Sequence, residues 1–146
     1  MKLNQLSVFL ENKPGRLSKP CHALSSAGIN ILTLSLADTH QFGILRLIVR
    51  DWKRAKEVLE SAGCIVNSTE VVAIEVADRP GGLAAVLEVI EQAKVNLEYM
   101  YAFTFRSRDK AVLVFRFEDP DAAIRLLQDN GVNVLKDVEL FDRIGQ

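Results

Sequence analysis

A chain of 146 residues with 49% hydrophobic and 25% charged side chains has the composition of a soluble globular protein, with room for one ordinary domain or two small ones. Its formal net charge of −1 and pI near 6.1 offer no broad basic field to a nucleic-acid backbone, and Lys53-Arg54 is interleaved with acids. No apolar run reaches the roughly eighteen residues of a membrane span. The start, Met1-Lys2-Leu3-Asn4-Gln5, lacks the pattern of a signal peptide, so a cytoplasmic location with Cys21 and Cys64 reduced is expected.

Leu6, Val8 and Leu10 alternate with Ser7, Phe9 and Glu11, the period-two pattern of a half-buried strand. Pro14-Gly15 follows, and Leu17, Leu24 and Ala27 trace the apolar stripe of a helix expected to begin at that dipeptide. Residues 29–36 and 44–49 read as two arms of a hairpin, parted by the polar run Asp38-Thr39-His40-Gln41. Asp51 stands as an N-cap before Ala55, Val58 and Leu59, Gly63 marks the end of that helix, and residues 64–66 form a last strand.

The series then starts again. Val72, Ile74 and Val76 repeat the first strand. Pro80-Gly81 opens a helix with Leu83, Val86, Leu87 and Ile90 on one face. Residues 95–103 and 111–117 flank Arg106-Ser107-Arg108-Asp109, Asp119 caps a helix carrying Ala123, Ile124 and Leu127, Gly131 ends it, and residues 132–135 close the chain as a strand. Gly81 follows Gly15 by 66 positions and Asn96 follows Asn30 by the same 66, whereas Gly131 follows Gly63 by 68. Two landmarks in one order, with a two-residue insertion between the second and third strands, mark an internal repeat. The copies divide near Thr69-Glu70, into 1–69 and 70–146. The expected fold class is α+β: two tandem ferredoxin-like βαββαβ sandwiches, each with both helices on one face of a four-stranded antiparallel sheet.

Catalytic chemistry finds little support. His22 and His40 have no partners at ligand spacing and read as a helix-surface and a hairpin-turn histidine, Cys21 and Cys64 form no CxxC, and GxSxG, P-loop, dinucleotide and HExxH motifs are absent. The reading is therefore of a protein that is not an enzyme and needs neither metal nor cofactor. The repeated loops are different. A strand that turns at Pro-Gly into a helix directs unpaired first-turn amides and the positive end of the helix dipole outward, an arrangement suited to a carboxylate. Asn12 and Asp78 precede those turns with side-chain oxygens that can accept from an ammonium group, although such residues also cap turns for structural reasons.

Strand, then Lys13-Pro14-Gly15-Arg16-Leu17, then a helix ending in Ala27-Gly28-Ile29-Asn30-Ile31, resembles the signature of the ACT domain, the regulatory module of amino-acid-biosynthesis enzymes. The second copy is similar through Asp78-Arg79-Pro80-Gly81-Gly82-Leu83 and Val95-Asn96-Leu97. The resemblance spans essentially the whole chain. It implies modules paired side by side, their sheets joined into one of eight strands, with a free amino acid bound between them. One site would then use Asn12, Gly15 and Leu17 with Asn96 and Leu97, and the other Asp78, Gly81 and Leu83 with Asn30 and Ile31. Two positions depart from the family's pattern: Asn12 replaces an acid, and Lys94 replaces a glycine. The Asp78 site is favoured, because a carboxylate pairs more strongly with an ammonium than an amide does. The same resemblance implies a sensor or regulatory subunit that acts on a metabolic enzyme in trans.

The ferredoxin-like topology also serves RNA-binding and protein-interaction modules. The stripe Tyr99, Tyr101 and Phe103, expected on an open sheet face with Val112, Val114 and Arg116, lacks the strand motif and basic surround of RNA recognition. It suits a homodimer contact better.

Overall fold

The structure, a computed structural model, describes residues 1–39, 41–107 and 109–144. The elements run β1 (Lys2–Glu11), α1 (Ser18–Ser26), β2 (Thr33–Thr39), β3 (Phe42–Ile48), α2 (Trp52–Ser61), β4 (Ile65–Ala77), α3 (Gly82–Gln92), β5 (Leu97–Ser107), β6 (Lys110–Phe117), α4 (Pro120–Asp129), β7 (Val134–Leu135) and α5 (Asp137–Ile144). They form two compact units: Asn4–Thr69, and the residues from Glu70 onward together with Met1–Leu3.

The first unit orders its antiparallel strands β2-β3-β1-β4, and the second orders its own β5-β6-β4-β7. Each is the second-third-first-fourth order of a ferredoxin-like βαββαβ sandwich. The 13 residues of β4 form one uninterrupted strand that ends the first copy and begins the second. The described strands therefore number seven, where separate closing and opening strands would have given the eight expected.

Each unit has its own core. In the first, Leu6, Val8 and Leu10 of β1 pack with Leu45, Leu47, Leu24 and Leu59; in the second, Val72, Ile74 and Val76 pack with Phe115, Phe117, Ile90 and Leu127. The period-two alternation of the opening strands places these residues on the helix side. Asp51 and Asp119 cap α2 and α4 as their positions suggest, accepting from the amides of Arg54 and Ala122 at 3.1 Å.

The first four helices end in the same way. A residue in the left-handed region donates to the carbonyl three before it, and the next residue donates five back: Gly28 and Ile29 to Ser25 and Leu24, Gly63 and Cys64 to Glu60 and Leu59, Lys94 and Val95 to Glu91 and Ile90, Gly131 and Val132 to Gln128 and Leu127. This is the Schellman arrangement, and the residue after each turn packs back onto its own core. Lys94 adopts φ 55° where the other three positions are glycine.

Several sequence expectations change. The arms of the hairpins begin at Thr33 and Leu97, after the residues that close the helix ends. The β5–β6 ladder, irregular between Ala102 and Arg106, continues to Ser107 paired with Lys110, beyond the expected polar break. The readings placed on His40 and Arg108 fall outside the described residues. Helix α5 was not expected: it buries Leu140 completely and directs Arg143 onto Glu75 of β4. Glu75 is the cross-strand partner of Val112, so α5 lies on the sheet face that was expected to be open. Val112 and Val114, expected to point outward, are 1% and 0% exposed, Phe103 is buried, and Tyr99 and Tyr101 are half-buried.

Candidate functional site

Asn12, Gly15 and Leu17 share the exposed loop between β1 and α1, while Asp78 and Gly81 lie between β4 and α3 and Leu83 is in the first turn of α3. Both loops are tied to their own hairpin turn: Asn12 N–H donates to Gln41 O at 3.0 Å, and Asp78 N–H to Asp109 O at 2.8 Å. Asn30 and Ile31 lie beyond the far end of α1, and Asn96 and Leu97 beyond the far end of α3. Helices of 9 and 11 residues separate the two sets within each copy by about 13 and 16 Å, at 1.5 Å per residue. One copy alone does not bring them together.

The two helices start at different points, but the loops before them make matching backbone bonds. In the second copy α3 starts directly at Gly82, with Gly81 as its N-cap at φ 84°. Gly82 N–H bonds to Arg79 O at 3.0 Å, and Ala85 N–H makes the first helical bond, to Gly81 O at 3.0 Å. Leu83 and Ala84 therefore occupy the turn whose amides have no acceptor within the helix.

In the first copy the helix does not begin at Pro14-Gly15. Residues 14–17 form a turn, with Gly15 at φ 84°, and α1 starts at Ser18 with Leu17 as N-cap. Lys19 N–H is taken by Gly15 O at 3.3 Å, the Ser18 hydroxyl donates to that same oxygen at 3.1 Å, and Pro20 has no N–H. The bond from Lys19 to Gly15 matches that from Ala85 to Gly81, so Leu17 and Ser18 hold in the first loop the places that Leu83 and Ala84 hold in the second. Pro20, not Pro14, is the proline of the first turn.

The remaining site residues also have structural duties. Leu83, Leu97 and Ile31 pack against the cores, and the Asn96 side-chain amide donates to Glu118 at 3.3 Å. Leu17 is the exception, an apolar side chain 43% exposed.

Beside Leu17 is a pocket of about 180 Å³, lined by Leu10, Glu11, Asn12, Lys13, Leu17, Leu36, Ala37 and Gly43. The sequence reading included Asn12 and Leu17 but not the others. Their grouping depends on register, since Leu10 pairs with Gly43 across β1–β3, and Leu36 with Leu45 across β2–β3. At its rim Lys13 lies 3.3 Å from the Glu11 carboxylate, which Arg16 also approaches at 3.7 Å. On the other side of the loop, Cys64 and Lys19 line a second cavity; burial pushes the Cys64 thiol up while the charge of Lys19 opposes it, so the thiol is a packing group rather than a nucleophile. Among the described residues no group of three His, Cys, Asp or Glu side chains could hold a metal ion, and no helix is long and apolar enough to cross a membrane.

Two βαββαβ units, each carrying a Pro-Gly loop between its first strand and first helix, define a tandem ferredoxin-like protein. The ACT domain pair family matches residues 1–144, and the chain belongs to it. Among solved structures, a protein of Bacteroides thetaiotaomicron is 38% identical with a TM-score of 0.89, covering 97% of this chain and 96% of that one. The ligand-free regulatory subunit of aspartate kinase from Thermus thermophilus shares the fold at 17% identity and a TM-score of 0.61, covering 86% and 91%. The corresponding regulatory subunit from Thermus flavus matches at 17% and 0.60, covering 86% and 90%. Among curated protein sequences none matches.

Proposed function

We propose that this chain is a cytoplasmic regulatory protein that binds a free amino acid through its Pro-Gly loops and passes the signal to a metabolic enzyme in trans. The observation that carries the reading is the second loop: Asp78 is exposed just ahead of Gly81 and Gly82, where α3 begins with Leu83 and Ala84 in its unpaired first turn. First-turn amides and the helix dipole favour a carboxylate, and an aspartate nearby favours an ammonium group. Asn12, Gly15 and Leu17 contribute a second, unequal site, with Asn30, Ile31, Asn96 and Leu97 completing the contact sets. Membership of the ACT domain pair family supports this role, as does the fold shared with proteins that are themselves regulatory subunits of aspartate kinase.

A sensor with a dissociation constant of about 0.1–1 mM needs some 4–5.5 kcal/mol, within reach of a few charge-assisted hydrogen bonds of roughly 1.5–3 kcal/mol each. The test is a thermal-shift screen against the twenty amino acids, followed by calorimetric titration of those that stabilise the fold. At least one is expected to raise the melting temperature at millimolar concentration. If none does, the sensing role is wrong. A homodimer belongs to the same proposal and is read by light scattering.

A further inference from the structure

The pocket beside Leu17 in the first copy combines an apolar wall with a charged rim. Its wall is Leu10, Leu17, Leu36, Ala37 and Gly43, and its polar rim is Glu11, Asn12 and Lys13. The strand registers carry two of these positions onto the second copy. Leu10 pairs with Gly43 as Val76 pairs with Ala111, and Leu36 pairs with Leu45 as Ala102 pairs with Leu113. Where the first copy has Gly43 and Leu36, the second therefore has Ala111 and Ala102. A methyl group added at Gly43 would lie 3.5 Å from Ala37 O and from Leu36 Cδ1, in ordinary contact, so glycine is not required there to avoid a clash. What the missing side chain leaves is room.

About 180 Å³ is room for a small aliphatic side chain. Leu17 and Leu36 are 43% and 50% exposed at its mouth, apolar surface that a ligand of matching character would cover. The rim carries both signs of charge: Lys13 and Glu11 are paired at 3.3 Å and both are solvent-accessible. A carboxylate arriving here has Lys13 as its cation, and an ammonium group has Glu11 and the amide oxygen of Asn12.

We infer that the first copy's pocket selects an amino acid with a branched aliphatic side chain. The side chain lies on Leu10, Leu17 and Leu36, the α-carboxylate is met by Lys13, and the α-ammonium is met by Glu11. This rests on the amino-acid-sensing reading above and adds the ligand class to it.

Calorimetric titration of the full chain with valine, leucine and isoleucine, against glutamate, lysine and tryptophan, tests it. Valine or leucine binds at least tenfold more tightly than the other three. Gly43→Val fills the pocket and weakens that binding at least tenfold, and Lys13→Met, on an exposed loop, does the same without altering the melting temperature of the free protein. The Lys13→Met arm decides the matter should Gly43→Val fail to fold. Binding of glutamate, lysine or tryptophan in preference to the aliphatic probes would overturn the ligand class while leaving the sensing role intact. Aliphatic binding that survives both variants would overturn the location. Failure of all twenty amino acids would instead remove the sensing role itself.

Discussion

Gly82 lies directly against the carbonyl of Ala77: a β-carbon built on it would stand 2.0 Å from that oxygen and 3.0 Å from the carbonyl carbon. The opposing atoms belong to the backbone at the end of β4, which cannot swing aside as a side chain could. This contact sets where α3 begins, and with it the position of the first-turn residues Leu83 and Ala84 relative to the loop at Asp78.

Gly82→Ala is therefore expected to destabilise the fold by about 1–3 kcal/mol or more, the usual range for overpacking against atoms that cannot relax. Gly81→Ala should also cost stability, but for a different reason. Its φ of 84° strains an L-residue, while nothing lies within 4 Å of the added carbon. Urea denaturation distinguishes the two by size, with Gly82→Ala the larger loss.

At the other end of α3, Lys94 occupies the left-handed position that closes the helix. A side chain there costs about 1–2 kcal/mol in backbone strain, and glycine loses about 0.4–1 kcal/mol more entropy on folding. Lys94→Gly should thus stabilise the protein by about 0.5–1 kcal/mol, visible as a higher melting temperature. Gly28→Lys, the reverse change in the first copy, should destabilise by a similar amount.

The repeat, the element order and the helix caps were legible because each is local: Asp51, Asp119, Gly63 and Gly131 announce helix ends through their own backbone preferences, and alternation in β1 and β4 marks the core face. Two features were not legible. The eight residues of α5 carry a single fully buried side chain, Leu140, too little to stand out as a stripe. The pocket lining joins residues on β1, β2, β3 and the first loop, and no short-range pattern connects Gly43 with Leu17. The first loop also shows why a motif can mislead. Pro14-Gly15 has the right spelling, but residues 14–17 form a turn and α1 starts three residues after Gly15, at Ser18.

The functional reading stands on Asp78. Asp78→Ala should remove the ammonium partner at a cost of about 1.5–3 kcal/mol, a ten- to hundredfold loss of affinity at the second loop, with little change in stability because the residue is exposed. Asn12→Ala should weaken binding at the first loop by less, since an amide oxygen is a weaker partner for an ammonium group than a carboxylate. Calorimetric titration of each single variant and of the pair measures both. Undiminished binding in the double variant would exclude these loops.

The ion pair of Glu75 with Arg143 gives the protein an acid-sensitive element unrelated to any ligand. Burial disfavours the Glu75 carboxylate, but the Arg143 guanidinium and the Asn133 amide, donating at 2.7 Å, outweigh it and hold the carboxyl below the usual carboxylate range. A carboxyl whose value falls on folding contributes stability that is complete above its unfolded value, about 4.3, and that disappears as pH falls through the lower folded value. Glu75→Gln should therefore cost about 1–2 kcal/mol near neutrality, the range of a charge-assisted hydrogen bond discounted for the partial exposure of Arg143. The variant and the wild type should converge in melting temperature as the pH is lowered below about 4. Leu140→Ala, which undocks the same helix by removing its buried side chain, should destabilise by about 2–5 kcal/mol, with no such convergence, because no proton is involved. Melting curves from pH 3 to pH 7 separate the two, and a constant gap between wild type and Glu75→Gln across that range would mean that α5 is held by packing alone.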